Sequence, residues 1–290
     1  FRRVLFRSFK NKILSIFTAF LFVISPLYFR FTAYWPFFSD VFIWLPLLLL
    51  AMEKSIQQRK SGLLILTITL VLINNFYFAY YFLIIASVYG LIRIMFRHPD
   101  DDSTRIRTLC TLLIPAVLAL GNSLFIFFHS VQSFVNNRRV SFSGNVPTFE
   151  HLNINTNIFF DNYLIVILFL TIQSILTFKL YRHYYYRLFA LMTVVLIIFT
   201  FIPLIDQIFN GFSAPQKRWH FILAFSSSLL IGLYVKYFRT VSVKSYITTS
   251  LIAQLIIYIS AYCYHKFLPW LILVPVVSII GLLILFLKER

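Results

Sequence analysis

The residues best suited to chemistry lie in one stretch, Asp206-Gln-Ile-Phe-Asn-Gly-Phe-Ser-Ala-Pro-Gln-Lys-Arg-Trp-His220. Asn210-Gly211 and Ala214-Pro215 are turn signals, so the chain leaves one apolar run and re-enters the next almost at once. Lys217 and Arg218 then stand at the start of the returning helix, with Trp219 beside them. Two readings fit. In one, the cations neutralise a lipid phosphate, helped by N–H groups of the helix start. In the other they anchor the helix at the interface, with Trp219 in an aromatic belt and both cations reaching for headgroups. A second cluster, Arg30-Phe-Thr-Ala-Tyr-Trp-Pro-Phe-Phe-Ser-Asp40, sets Arg30 and Asp40 around Tyr34 and Trp35. Aromatic faces stack on sugar C–H groups while carboxylates accept from hydroxyls. The same residues also suit a belt, with Asp40 capping the next helix. Asn74 and Asn75 precede a dense aromatic patch ending at Tyr81. These amides either hydrogen-bond across helices or face a substrate cavity.

Other polar residues carry less. Arg138-Arg139 and Glu150-His151 have the types to meet an acidic polymer or a metal. Adjacent residues do not by themselves make a coordination geometry, so these read as solvated and no metal site is assigned. Of the nine acidic residues, Glu53, Asp100, Asp101, Asp102 and Glu289 read mostly as solvated inner charges. Asp40, Glu150, Asp161 and Asp206 fall on the outer side. The spans hold almost no ionisable group, which argues against a proton-coupled transporter. Neither GxxxxGK[ST] nor GxGxxG occurs, so an ATP-driven pump has no motif behind it.

The elements that must position these residues follow from composition. The hydrophobic set makes up 60% of the 290 residues and charged residues only 12%, with a mean hydropathy of +0.85. An ordinary soluble domain carries about twice that share of charge, so a cytosolic enzyme is excluded. Apolar runs bounded by charge or turns give an all-α, polytopic bundle of ten spans. They lie near 13–29, 37–52, 63–78, 80–96, 109–129, 159–178, 188–205, 221–236, 247–264 and 269–287. Of the 26 Lys and Arg, only Arg30, Arg138, Arg139, Lys217, Arg218 and Lys266 fall in the outer loops of that scheme. The positive-inside rule then puts both termini in the cytoplasm. The chain reads as a single transmembrane domain over 1–290, with outer loops at 130–158 and 206–220. The net charge of +17 points to lipid headgroups and not to nucleic acid, given the hydrophobicity. Cys110 and Cys263 fall near opposite faces and read as free core thiols.

Four stretches in order carry a family resemblance. They are the Arg30–Asp40 region followed by Trp44-Leu-Pro-Leu-Leu-Leu-Leu50, then Asn75-Phe-Tyr-Phe-Ala-Tyr80. The basic inner loop comes next, and last Asn210-Gly-Phe-Ser-Ala-Pro with Lys217-Arg-Trp219. In these the chain resembles the YfhO family of bacterial membrane proteins. The resemblance implies a GT-C type glycosyltransferase, taking a sugar from a polyprenyl-phosphate donor at the outer face of the bacterial cytoplasmic membrane. It passes the sugar to a cell-envelope polymer, commonly a teichoic acid in Gram-positive relatives. The residues that match are Arg218, Lys217 and Trp219 as carrier-phosphate contacts. Asp206 either orients that cation or meets a sugar hydroxyl, and Asp40, Arg30, Tyr34, Trp35, Asn75 and His220 are candidate sugar or acceptor contacts. Some GT-C enzymes use a divalent metal. Such enzymes carry their catalytic carboxylate in the first outer loop, and the chain is expected to be a central piece beginning beyond it. The base is then expected upstream, Asp40 is not assigned as its replacement, and this piece alone is expected to be inactive. Residues 1–8 read as a basic lead or as a join foreign to the native sequence. The rival class is a transporter or flippase of polyprenyl-linked sugars, or a membrane scaffold.

Overall fold

The computed structural model describes residues 11–99, 101, 103–136, 142–147, 168–263 and 267–289. The lead at 1–8, Arg138-Arg139, Glu150-His151, Asp161 and the first half of the expected span 159–178 lie outside them. All regular structure among the described residues is helical, as expected. The α-helices are α1 Lys12–Val23, α2 Pro26–Tyr34, α3 Val41–Gln58, α4 Gly62–Asn74, α5 Phe76–Met95, α6 Arg105–Val135, α7 Leu168–Leu176, α8 Tyr184–Phe199, α9 Pro203–Phe209, α10 His220–Tyr237, α11 Val243–Cys263 and α12 Trp270–Glu289. They fall into two compact units. One comprises the described residues of Phe37–Ser143, the other those of Val4–Pro36 and Gly144–Arg290.

In the first unit α4 packs on α6 and α3, and α5 on α6 and α3. The break between α4 and α5 is set by Asn75, whose Oδ1 accepts from the N–H groups of Tyr77 (3.0 Å) and Phe78 (3.3 Å). A capped start satisfies two donors that a helix otherwise leaves open. Arg59 ends α3 in the left-handed conformation, φ 56°. Ser55 Oγ then ties the α3–α4 corner to Ser61 Oγ (2.8 Å) and to the carbonyl of Thr111 on α6 (3.0 Å). α6 is mainly exposed, with Ile106, Val117 and Phe125 all pointing outward. An apolar helix left exposed on a polytopic protein faces lipid.

In the second unit α10 is the centre, buried at every residue from His220 to Tyr234 and packed on α1, α7 and α8. A helix apolar all round is one that neighbours surround. Phe22 of α1 meets Phe225 edge-on at 5.2 Å. Its three serines are satisfied internally: Ser226 pairs with Thr193 of α8 (2.8 Å), while Ser227 and Ser228 donate to carbonyls one turn back. α7 is tied to α11 by Gln173 Nε2 donating to Ser250 Oγ at 2.7 Å. α11 and α12 close on each other where the Tyr246 hydroxyl donates to the Ser278 carbonyl (3.1 Å) beside Gly281. A Cβ at Gly281 would land on that hydroxyl. Gly281→Ala is therefore expected to lower stability by about 1–3 kcal/mol through overpacking, read as earlier unfolding in detergent. Tyr246→Phe in the same background should recover part of the loss.

Among the described residues, six helices are long and apolar enough to cross a membrane, or eight when each of two bent pairs counts as one span. The pairs are α1 with α2, bent by 52°, and α8 with α9, bent by 104°. They correspond to the expected spans 13–29 and 188–205. The two remaining expected spans have helices that fall short. α4 has 13 residues, about 20 Å at 1.5 Å per residue, against a hydrocarbon core of about 30 Å. α7 is the described end of 159–178. Two boundaries also move. α6 runs on to Val135, past the expected start of the outer loop at Ser130, and α9 occupies the first part of 206–220. Cys110 and Cys263 are free but exposed, not in the core.

Candidate phosphate-binding edge

In the second unit the chain turns sharply at Ile202, which is extended (φ −118°, ψ 93°) ahead of Pro203. A residue before proline is biased away from the helical region, so α8 cannot run straight on. α9 ends at Asn210, followed by Gly211 and Phe212 in left-handed conformations, φ 65° and 58°. The turn is held by its own hydrogen bonds. Phe212 N–H donates to the Gln207 carbonyl (2.8 Å) and Asn210 Nδ2 to the Ala214 carbonyl (2.7 Å). A 3-10 turn, Lys217–Trp219, leads into α10.

Trp219 locks this loop. It is wholly buried, its ring stacks on Phe209 at 5.4 Å and 20°, and its indole N–H donates to Asp206 Oδ1 at 2.5 Å. The belt position read for Trp219 is thus corrected. A buried indole whose one N–H is used internally holds the loop and does not face headgroups. Asp206, also buried, spends its carboxylate on that indole. His220 is buried and lies edge-on to Trp219 at 4.6 Å.

The neighbours of Trp219 point differently. Lys217 and Arg218 are half-buried, and the Arg218 guanidinium carbon lies 5.5 Å from the centroid of the Trp35 ring. A cation at that distance over an indole face is attracted by its quadrupole. Trp35 ends α2 and is backed by Phe31 at 6.1 Å and 27°; it is 42% exposed and Tyr34 76%. Arg30 is exposed on the same helix. The structure therefore brings the two separate sequence clusters together through Arg218 and Trp35. The result is an exposed aromatic edge carrying a guanidinium held in place from behind.

Asp40 and Asn75 belong to the first unit. Asp40 makes no side-chain cap to α3; its Oδ2 accepts from Asn74 Nδ2 at 2.9 Å. Asn75 spends its side-chain carbonyl on the α5 cap. Among the described residues no three His, Cys, Asp or Glu side chains gather into a metal-binding group. The divalent metal of some GT-C enzymes finds no ligand set among the described residues.

Sequence reasoning missed one cluster. Glu53 and Asp101, expected as solvated charges, are both buried against Arg93. Arg93 Nε donates to Glu53 Oε1 (2.5 Å) and its terminal nitrogen pairs with Asp101 Oδ2 (3.0 Å), the side chains being 0%, 9% and 6% exposed for Arg93, Glu53 and Asp101. Tyr89 donates to Glu53 Oε1 (2.8 Å), Gln57 to Oε2 (2.7 Å), and the His98 backbone N–H to Asp101 (3.0 Å). The signal was present as helical spacing: Glu53 and Gln57 lie four apart, as do Tyr89 and Arg93, each pair on one helix face.

The family described as Bacterial membrane protein YfhO matches residues 4–290 of the chain. The "Uncharacterized protein YfhO" of Bacillus subtilis (strain 168) is 38% identical over 219 residues, 75% of this chain and 25% of that protein. The aligned part thus spans a quarter of the relative's length. No solved structure matches the chain.

Proposed function

The chain belongs to the YfhO family of bacterial membrane proteins, and on that footing we propose that it takes part in transferring a sugar from a polyprenyl-phosphate donor to a cell-envelope acceptor such as a teichoic acid. One observation supports this reading above the others: a half-buried guanidinium, Arg218, rests over the Trp35 indole beside Lys217. On the ten-span scheme, 20 of the 26 Lys and Arg lie on the side opposite to this edge, and by the positive-inside rule that side is cytoplasmic and this edge outer.

In the reaction the bond between the anomeric carbon and the carrier phosphate oxygen breaks, and the acceptor hydroxyl oxygen forms the new bond. The leaving phosphate gains charge as that bond lengthens. Arg218 and Lys217 stabilise it, and they do so with little reorganisation because the loop is fixed beforehand. Asp206 and Trp219 act through that loop: they position the cations and touch no substrate. Tyr34 and Trp35 offer exposed ring faces to a sugar, and Arg30 a donor to its hydroxyls. The acceptor's proton passes to a general base, a role none of the described residues is assigned.

Arg218→Ala in the complete gene product tests this. Sugar transfer is expected to fall about 100- to 1,000-fold, the usual cost of removing one donor to developing negative charge. Donor lipid should still reach the outer leaflet. Arg218→Lys should recover part of the rate. Transfer at the parental rate would end the phosphate-contact reading. Loss of donor arrival would instead make the protein a carrier of the lipid.

A further inference from the structure

At the other end of α10 a second group of cations gathers, far from the loop at 206–220. His183, between the 3-10 turn Phe178–Arg182 and α8, lies flat on Tyr237 at the end of α10, rings 3.8 Å apart and 1° from parallel. Arg182 Nε donates to His183 Nε2 at 3.4 Å. Lys236 Nζ stands 4.9 Å from the centroid of the Tyr237 ring. We propose that Arg182, His183 and Lys236, drawn together around the Tyr237 ring, form a site for the phosphate of an anionic lipid headgroup. The inference is independent of sugar transfer.

Three observations carry it. Two unconnected parts of the chain converge here, and neither contributes an acid: Phe178–Arg187 and Lys236–Lys244 contain six Lys or Arg and no Asp or Glu. Like charges brought together repel, and a bound oxyanion would relieve that cost. Second, the potential at the imidazole is positive. Burial first, then Arg182 and Lys236, hold the His183 pKa below its ordinary value. The other titratable groups on the elements at this end are Lys179, Tyr181, Tyr184, Tyr185, Tyr186, Arg187, Tyr234, Tyr237 and Arg239, with Lys288, which donates to the Arg239 carbonyl, and Glu289 at the end of α12. Glu289 is the one carboxylate among them. Third, the geometry suits an oxyanion. A neutral imidazole accepting through Nε2 carries its proton on Nδ1, so the imidazole Nδ1–H and the terminal guanidinium nitrogens can donate to an oxyanion, with the Lys236 ammonium charge beside them. A guanidinium fork matches phosphate oxygens two at a time. Tyrosines flank the cluster, as expected where helix ends meet headgroups. On the orientation proposed above, these are headgroups of the cytoplasmic leaflet.

The sign of the linkage is definite. Phosphate favours protonated imidazole, so binding raises the His183 pKa and is tighter at lower pH. The test is the NMR titration of His183 in the chain reconstituted into nanodiscs, its signal identified by loss in His183→Gln. Three samples are compared: phosphatidylcholine alone, phosphatidylcholine with phosphatidylglycerol, and phosphatidylcholine with inorganic phosphate in solution. The His183 pKa should rise by about 1–3 units with phosphatidylglycerol. The rise should disappear in the double variant Arg182→Gln, Lys236→Gln. A rise given equally by inorganic phosphate would keep the site but assign it to a soluble anion, overturning the lipid source. A rise that survives the double variant would be the bilayer's general surface potential, and a pKa unchanged in every sample would mean no anion binds. Either result overturns the proposal.

Discussion

Arg93→Ala is expected to cost about 3–5 kcal/mol of the stability of the unit built on α3–α6, the usual penalty for removing one partner of a buried ion pair. The penalty should sit at the upper end. Two carboxylates, Glu53 and Asp101, share this guanidinium, and its removal leaves both buried with like charge. Glu53→Gln should be milder, because Arg93 keeps Asp101 and an amide still accepts from Tyr89. Replacing Arg93, Glu53 and Asp101 together with apolar residues of similar volume should recover much of the loss. Reversible unfolding in detergent measures all three variants, and hydrogen exchange at Arg97–Thr104 reads the loop that Asp101 joins to the helices. Arg93→Ala with parental stability would mean that the charges are solvated after all.

The second large effect belongs to Trp219. Trp219→Ala opens a cavity beside Phe209 and deprives Asp206 of its indole donor, together about 3–5 kcal/mol. Trp219→Phe keeps an aromatic ring against Phe209 but loses the N–H and part of the indole volume, so about 1–3 kcal/mol is expected. Both variants loosen the loop that carries Lys217 and Arg218. Transfer should therefore fall in Trp219→Phe even where the protein remains folded, and unfolding curves and transfer rates measured on the same samples check this. A phenylalanine variant with full transfer would detach Asp206 and Trp219 from the positioning of the cations.

Much of the architecture was legible because a polytopic bundle writes itself in apolar runs. Each of the ten expected apolar runs contains a helix among the described residues, but only six to eight of these are long and apolar enough to cross a membrane. The bends at Pro26 and Pro203 were legible in principle, since each proline restricts the residue before it; length alone had carried the expected spans through them. Burial was not legible. Hydropathy does not distinguish a helix surrounded by protein, such as α10, from one facing lipid, such as α6, because both environments are apolar. The same limit explains Trp219. A tryptophan at a helix start beside two cations has the pattern of a belt residue, and only the fold of 203–219 brings Asp206 to its N–H. Arg218 and Trp35 are far apart in sequence and had been separate clusters, joined only by the packing of α2 on α10.

The central claim is that Arg218 and Lys217 hold the carrier phosphate. A photoreactive polyprenyl phosphate, irradiated in membranes containing the complete gene product and mapped by mass spectrometry, tests it most directly. The label should fall on the Trp35 and Lys217–Trp219 peptides and drop at least tenfold in Arg218→Ala, with competition by unmodified polyprenyl phosphate. Labelling of other peptides only, unchanged by Arg218→Ala, would contradict the claim.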